Sequence, residues 1–250
     1  MGLDAGAMTP SMICFRGRER VQALFEAVSG ARMMHNYFRI GGVKEDLPDN
    51  FDEVVGELMP VLQADIEEAD RLLTFNEIFL ARLKGVAPIS VEDALDFGLT
   101  GPCLRACGVD YDLRKADPYS IYDRFEFNVP VGLDGDCWDR HYVRAREMYE
   151  SMKSWEQALA ERPKGNVTSS LGKRLARPPE GQVYVRAENP RGEIGVYLVS
   201  DGTDKPYRLK VRPPSFCNLS AIKHMLKDTW IADTVVVLGS LDIVLGEVDR

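Results

Sequence analysis

Apolar residues recur at helical spacing through the first two-thirds of the chain. One stripe, Val21, Leu24, Phe25 and Val28, predicts a helix over 18–29 that ends at Gly30. The next stripe predicts a long helix over 54–73, which Pro60 can kink. We expect its outer face to be acidic, with Asp65, Glu67, Glu68 and Asp70.

Two shorter helices are predicted at 76–83 and 91–97, the second with Ser90 as its N-cap. Residues 111–131 are rich in aromatic residues, Asp and Pro without a clear period, which indicates an ordered but irregular segment. The strongest helical pattern covers 136–160. Its apolar stripe is expected to face the core and comprises Trp138, Tyr142, Ala145, Met148 or Tyr149, Met152, Trp155 and Leu159.

The composition changes to Gly, Ser, Lys, Arg and Pro over 163–179, which is typical of a linker or loop. Beyond this segment, apolar residues recur at every second position. Three strands follow, within 183–187, 193–200 and 207–211, and the turns between them predict a small antiparallel meander. A helix over 219–227, capped by Asn218 or Ser220, is expected next.

The final apolar stretch, 231–245, runs into the charged last residues of the chain. Periodicity does not decide between a buried helix and a buried strand here. Chain ends are normally polar and poorly ordered. We therefore expect this end to be buried inside the structure, with its charges directed at some other group.

These patterns together predict an α+β protein that is mainly helical, with a small antiparallel β-meander near the C-terminus. We divide it into a helical core portion over 1–162, a linker or loop over 163–181, and a third part over 182–250. The third part comprises the meander and a C-terminal helix or tail that returns to the core.

Charge and hydropathy limit the functional classes. The net charge of −8 and the pI near 5.1 argue against a nucleic-acid partner, because the basic clusters are short. The sequence has no apolar run of the length that a membrane helix needs and no secretory signal pattern. This predicts a cytoplasmic or peripheral protein.

The residues of common catalytic and metal sites are not arranged in the usual patterns. The cysteines number five, without a CxxC pair, so reduced thiols are expected, and Cys103 and Cys107 are interpreted as packing residues rather than metal ligands. His141 and His224 are each interpreted as structural. No hydrolase triad and no phosphate-binding glycine loop is present, so no independent hydrolase or dinucleotide site is supported.

Several long motifs resemble one family and follow its order along nearly the whole chain. They are 29–48 (SGARMMHNYFRIGGVKEDLP), 98–108 (GLTGPCLRACG), 112–115 (DLRK), 186–193 (RAENPRGE), 210–216 (KVRPPSF) and 238–250 (LGSLDIVLGEVDR). The sequence is similar to the 49 kDa (D, or H in plastid-type enzymes) subunit of respiratory complex I, the proton-translocating NADH:quinone oxidoreductase.

The resemblance implies a peripheral-arm subunit that is inactive alone and lines the chamber in which quinone is reduced. It implies that this chain binds no cofactor itself. Quinone would be the substrate, the terminal iron–sulfur cluster would lie in a neighbouring subunit, and NADH would bind elsewhere. The implied partners are the B-type and C-type peripheral subunits and the membrane-arm H-type subunit, on the cytoplasmic side of the inner or plasma membrane.

The family looks like a descendant of the large subunit of nickel-iron hydrogenases, which implies a hydrogenase-like helical core. The C-terminal signature of those hydrogenases, Asp-Pro-Cys-x-x-Cys-x-x-His, places Val244 and Glu247 at the cysteine positions. A valine offers no ligand and a single carboxylate favours hard cations, so the resemblance implies that no metal is bound. It implies instead an apolar cavity for quinone lined by Asp242, Val244 and Gly246.

The resemblance also places Arg32 and Met34 near the neighbouring cluster. Many members carry a histidine at the Met34 position, and plastid-type members look like this chain there. Members typically begin with a longer portion that carries a histidine and a tyrosine beside the quinone headgroup. We expect that portion to be missing here, so that the chain is a fragment, a split subunit or a truncated non-catalytic paralogue. The equivalent subunit of an oxidoreductase with a ferredoxin-type donor is the alternative enzyme.

Overall fold

A computed structural model describes residues 1–169 and 177–249 of the chain. The helices before the sheet are α1 (Met8–Ser29), α2 (Phe51–Leu73), α3 (Glu77–Leu83), α4 (Val91–Asp96), α5 (Pro102–Ala106), α6 (Leu113–Ala116) and α7 (Cys137–Ala160). A two-stranded hairpin, β1 (Phe38–Arg39) and β2 (Gly42–Val43), lies between α1 and α2. Helices and small antiparallel sheets confirm the predicted α+β class.

Helix α1 is longer than predicted. It begins at Met8 rather than at residue 18, so the predicted boundary was wrong. Pro10 lies in the first turn, where no backbone hydrogen bond is lost. Gly17 lies against Asp65 of α2, so the two helices approach closely there. Gly30 ends the helix with a φ of 78°, as predicted.

Helix α2 confirms the predicted long helix and contains Pro60 in its interior. The prediction of an acidic outer face was wrong for Asp65, which is buried. Arg16 donates to Asp65 through Nε at 3.0 Å, and Arg20 forms a second ion pair with it. The charge pattern of α2 alone could not reveal these partners, because both belong to α1.

The two short helices after α2 begin as predicted. The Asn76 side chain accepts from the backbone N–H of Ile78 at 3.0 Å at the start of α3. The Ser90 hydroxyl accepts from the N–H of Asp93 at 3.1 Å at the start of α4. These bonds satisfy donors that the first helical turn leaves free. Within the irregular region, α6 and a 3₁₀ turn at Tyr122–Arg124 are the helical pieces.

Helix α7 confirms the strongest helical prediction, with Asp136 as its N-cap. Its apolar stripe was predicted only in part. Met152, Trp155 and Leu159 pack against a cluster of α1 and α2 residues, whereas Met148 is exposed. The fully buried face of the first turns instead carries Arg140 and Val143, because that face packs on α5 and on the C-terminal helices.

The predicted meander is confirmed as a three-stranded antiparallel sheet in the order β3 (Gly181–Asn189), β4 (Gly192–Ser200) and β5 (Arg208–Arg212). Asn189 pairs with Gly192, so a two-residue turn joins β3 to β4. β5 pairs along β4 with Val196 opposite Val211. The β3–β4 turn reaches back to the helical part, where it contacts the C-terminal segment.

The C-terminal region is helical: α8 (Pro214–Ser220), α9 (Ile222–Met225), a 3₁₀ turn (Ile231–Asp233), α10 (Thr234–Leu241) and α11 (Leu245–Val248). The prediction of a single helix over 219–227 was wrong, because the chain turns at Ala221 and forms two short helices. Neither proposed cap acts as one. Asn218 is buried and its side chain accepts from the N–H of Thr100 at 3.0 Å.

The main core joins the helical part to the C-terminal helices, with Leu83, Val236, Val237 and Leu241 almost completely buried. Among the described residues, no helix is both long and apolar enough to cross a membrane. The division at 162 and 181 stays a prediction, and residues 170–176 of the predicted linker lie outside the described part.

Candidate functional site at the C-terminal segment

The C-terminal segment is fixed by the β3–β4 turn. Asp242 follows α10 in the left-handed region with a φ of 54°. Arg191, in the turn, donates from Nε to the backbone oxygen of Asp242 at 2.9 Å, and its guanidinium lies 3.3 Å from the Asp242 carboxylate. A bond to the backbone and an ion pair to the side chain orient this aspartate together.

Two glycines allow the turn to reach this position. A Cβ built on Gly192 would lie 2.8 Å from the nitrogen of Gly101, and one built on Gly101 would lie 2.4 Å from the Cα of Gly192. Any larger side chain at either position would separate the two backbones. Asn218 stabilises the contact between the two backbones, because its Nδ2 donates to the backbone oxygen of Arg191 at 3.2 Å.

Glu247 anchors the other end of the segment. It accepts from Asn189 Nδ2 at 3.2 Å and from Ser215 Oγ at 2.6 Å. Two charges of the tail, Asp242 and Glu247, are therefore held by partners within the chain. The expectation of a buried end was wrong, however, since Leu245 is 72% exposed and Gly246 is also exposed. The short helix α11 is held by polar contacts at the surface rather than by burial.

A cavity of about 760 Å³ opens beside this segment. Its walls are mostly apolar side chains of α1, α2 and α7, including Ile13, Ile66 and Met152. Asn189, Pro190 and Asp242 line it, together with charged residues of the interior. The cavity thus combines apolar walls with a polar region, the composition of a small-molecule site.

An ionic cluster forms the interior part of the polar region. Arg105 donates from Nε to Glu147 at 2.7 Å and from its Nη1 to Glu188 at 3.0 Å, and all three line the cavity. Burial raises the pKa of Glu147 and of Glu188 although Arg105 opposes the shift. Asp112 and Arg114 form an adjacent pair, with two N–H···O contacts between their side chains.

The sequence-predicted site residues fall in different places. Asp242 lines the cavity, whereas Val244 and Gly246 are not among its lining residues. Val244 is partly buried beside Ser215, whose hydroxyl accepts from its N–H at 3.2 Å. Arg32 and Met34 lie in the loop after α1, with Arg32 paired to Glu19 and Met34 89% exposed.

Sequence reasoning missed several charged residues of the site. Arg191, Asn189 and Glu188 belong to the 186–193 motif, but no role could be assigned to them from the sequence. Arg144 and Glu147 line the cavity and, with the buried Arg140, are spaced i, i+4 and i+7 on α7, so a charged stripe was present in the sequence. It was overlooked because charged residues at helical spacing are normally a solvated face.

The cysteines and acids do not form a metal centre in the described part of the chain. No group of three or more His, Cys, Asp or Glu there could hold a metal ion. Cys103 and Cys107 are buried in the core, and the Cys107 thiol donates to the backbone oxygen of Cys103 at 3.3 Å. Burial raises the pKa of the Cys107 thiol to about 12, so a thiolate is disfavoured there. Both side chains pack in the core.

Comparison with known proteins identifies the family of the chain. The family model described as the 49 kDa subunit of respiratory-chain NADH dehydrogenase matches residues 4–176 and 170–250. The chain belongs to this family. The resemblance seen in the motifs is thereby confirmed, and it extends over almost every residue.

Curated relatives of the same family have closely similar sequences. The D-type subunit of the NADH-quinone oxidoreductase of Carboxydothermus hydrogenoformans is 49% identical, over 100% of this chain and 68% of its own length. The D-type subunits of Dehalococcoides mccartyi and Bacillus mycoides are each 48% identical, over 99% of this chain and 67% and 68% of their own lengths. About a third of each relative therefore lies outside the match.

Proposed function

We propose that this chain serves as the D-type component of an NADH-quinone oxidoreductase, an enzyme whose activity belongs to the assembled complex. Membership of the 49 kDa family supports this proposal. The chain itself contributes shape and polar contacts to the site of quinone reduction. NADH binds another subunit, and the terminal iron–sulfur cluster lies in a neighbouring one.

The polar region of the cavity is the proposed quinone-facing wall. The assignment rests on the contact between Arg191 and Asp242, which orients Asp242 where it lines a mostly apolar cavity. A quinone needs apolar surface for its ring and tail and few donors for its carbonyl oxygens. Val244 and Gly246 extend this wall along the tail, outside the cavity that the chain forms by itself.

The tail also fits a descent from the nickel-iron hydrogenase fold. Glu247, at one former cysteine position, is engaged by Asn189 and Ser215, and Val244 offers no ligand at the other. A soft metal centre has no thiolate here. In this proposal the segment that once held a metal now shapes a cavity, and the helical core is hydrogenase-like.

The loop after α1 is the proposed contact with the cluster-bearing subunit. Its apolar side chains are exposed, namely Met33, Met34, Phe38 and Ile40. Exposed apolar side chains grouped in one loop are typical of a surface that a partner covers. Arg32 and Met34 would then face the neighbouring cluster, and the protein would sit peripherally on the cytoplasmic side of the membrane, beside B-type, C-type and H-type subunits.

The chamber assignment is tested by Val244→Met in the assembled complex. The larger side chain should narrow the apolar wall, so we expect quinone reduction to fall by about tenfold at limiting quinone. Electron transfer from NADH to an artificial acceptor that bypasses the chamber should stay unchanged. Asp242→Asn keeps the shape of the side chain and removes its charge, so it separates the effect of charge on quinone reduction from the effect of shape.

The matched control is Val235→Met, an equivalent change at an exposed position of α10. It should leave both activities unchanged. Normal quinone kinetics in a fully assembled Val244→Met complex would contradict the assignment of this segment to the chamber.

A further inference from the structure

Two glutamates of the cavity share one buried guanidinium. Arg105 is 2% exposed and donates from Nε to Glu147 at 2.7 Å and from Nη1 to Glu188 at 3.0 Å. Glu147 belongs to α7 and Glu188 to the end of β3. We call these two residues the glutamate pair. One guanidinium cannot neutralise two carboxylates, so these direct contacts leave one negative charge in excess.

The other arginines beside the glutamate pair are engaged elsewhere. Arg114 donates from Nε and Nη2 to Asp112, at 3.0 and 2.6 Å. Arg144 donates from Nη1 to the backbone oxygen of Ser240 at 2.6 Å and from Nη2 to that of Leu241 at 3.1 Å. Both arginines attract the pair through space, but neither donates a hydrogen bond to it within the described part of the chain.

Each member of the glutamate pair keeps one oxygen open. Oε1 accepts from Arg105, and Oε2 accepts no hydrogen bond from the residues that the structure describes. Among those residues, the buried side-chain atoms without a partner are Arg144 Nε and Arg146 Nε, so neither Oε2 is fully enclosed. Both glutamates line the cavity of about 760 Å³. Each has an accessible oxygen that can bind a proton.

The surroundings favour the protonated form of the pair. Burial raises the pKa of Glu147 and of Glu188, while Arg105 opposes the shift, and Asp112 raises the pKa of Glu188 further. The charged and titratable groups beside the pair come from several elements: Arg105 (α5), Asp112 and Arg114 (α6), Tyr119, Tyr122 (the 3₁₀ turn), Arg144 (α7) and Asp242 (after α10).

We propose that the glutamate pair binds one proton and donates it to quinone during reduction. This rests on the proposed function, which assigns the cavity to quinone and the electrons to the neighbouring cluster. Quinol formation takes up two electrons and two protons. In one proton transfer the carboxyl O–H bond breaks and an O–H bond forms on a quinone oxygen. Arg105 stabilises the carboxylate that remains, and the pair regains its proton from solvent.

The first test measures this proton in the full chain without quinone. Infrared spectra through a pH titration detect the C=O stretch of protonated carboxyl groups. We expect a carboxyl group to stay protonated well above about pH 4.3, where ordinary glutamates ionise. Replacing both Glu147 and Glu188 by Gln should remove this band. Glu193→Gln should keep it, because Glu193 pairs with Arg186 and Arg212 and does not line the cavity.

The second test follows quinone reduction by the assembled complex. Glu188→Gln keeps the shape of the side chain but cannot donate the proton, so the rate at saturating quinone should fall by about a hundredfold near neutral pH. The remaining rate should increase as the pH falls, because protons then come directly from solvent. Added formic acid should restore part of the activity, which it cannot do for a purely structural defect. Glu193→Gln should retain the original rate.

The outcomes separate this proposal from the chamber assignment. Absence of a carboxyl band that depends on the glutamate pair would overturn the proposal, whatever the effect of Val244→Met. A normal rate in Glu188→Gln would overturn proton donation to quinone, and so would a slow rate with an unchanged pH profile and no rescue by formic acid. Normal kinetics in Val244→Met with a slow, acid-rescued Glu188→Gln would contradict the assignment of the tail alone.

Discussion

Arg140 shows how a single buried charge can organise this fold. The side chain is completely buried, and its guanidinium donates to Ser240 Oγ at 2.8 Å, Gly135 O at 2.6 Å and Ala87 O at 3.1 Å. These acceptors lie on separate parts of the chain. The planar guanidinium holds several N–H donors in fixed directions and can therefore bind acceptors from different segments at once. The ammonium group of a lysine cannot reproduce this arrangement.

Arg140→Lys should therefore destabilise the protein by about 3 kcal/mol or more, because buried carbonyl groups lose their donors. The measurement is the free energy of unfolding from urea denaturation. Arg162→Lys is the matched control. Arg162 pairs with Asp52 in an exposed bidentate contact, so this change should have no measurable effect. Equal effects of the two substitutions would show that the junction at Arg140 contributes little.

His141 gives the fold a pH dependence. Burial lowers the pKa of its imidazole to about 4, while Thr74 Oγ1 lies 3.1 Å from Nε2. The imidazole is thus neutral in the folded protein near pH 5, whereas the unfolded chain is protonated below about pH 6.5. Protonation then favours unfolding.

The contribution of His141 to stability should be fully present above pH 6.5 and should be lost as the pH falls towards 4, by about 3 kcal/mol in total. His141→Gln removes the titrating group. Its unfolding free energy, measured by urea denaturation at several pH values, should fall less steeply over this range than that of the original chain. Parallel pH profiles of the two proteins would contradict the pKa assignment.

At the scale of elements, the docking of the sheet depends on the close approach of two backbones. The β3–β4 turn meets the start of α5 where Gly192 contacts Gly101, and the N–H of Glu193 donates to Thr100 Oγ1 at 2.9 Å. This contact brings Arg191 to Asp242. The position of the turn therefore determines the geometry of the C-terminal segment.

Gly192→Ala should destabilise the fold by about 3 kcal/mol, because its Cβ would meet backbone atoms at the start of α5 and its φ of 132° disfavours alanine. Gly56→Ala is the same change in the interior of α2, where the Cβ meets open space. There it should stabilise the protein by up to about 1 kcal/mol. Thermal unfolding of the two variants should thus shift in opposite directions, and shifts of the same sign would count against the docking contact.

At the scale of the whole molecule, the chain has the surface of a component of an assembly. Apolar side chains are exposed in the loop after α1 and on the cavity walls formed by α1 and α7, for example Phe25 and Met148. The net charge of −8 opposes self-association through these apolar surfaces. Its proposed activity is accordingly expressed in the complex rather than by this chain alone.

If Met34 faces the neighbouring cluster as proposed, the reduction potential of that cluster should be nearly independent of pH, because a thioether does not titrate. Met34→His places an imidazole there, with an ordinary pKa near 6.5, so the reduction potential should then fall as the pH rises through that range. Redox titration of the assembled complex at several pH values measures this slope. His35→Gln should leave the original weak slope unchanged, and a steep slope in the original complex would contradict the assignment of Met34.

Much of the fold was readable from local pattern. Gly30, Asn76 and Ser90 act within a few residues of their own positions, so the end of α1 and the starts of α3 and α4 follow from neighbouring sequence. The meander is equally local, since each strand pairs with the next across a short turn. The beginning of α1 at Met8 was missed because the apolar stripe used for the prediction starts only at Val21.

The family and the class of fold follow from the order of the amino acids. Which charges are paired inside could be learned only from the packed molecule. Asp65 is buried beside arginines of another helix, Glu247 is held by Ser215 and Asn189, and Arg191 reaches Asp242 across about fifty residues of sequence. A sequence pattern shows the periodicity of one segment. Burial and ion pairing depend instead on which other segment packs against it, and only the tertiary structure decides this.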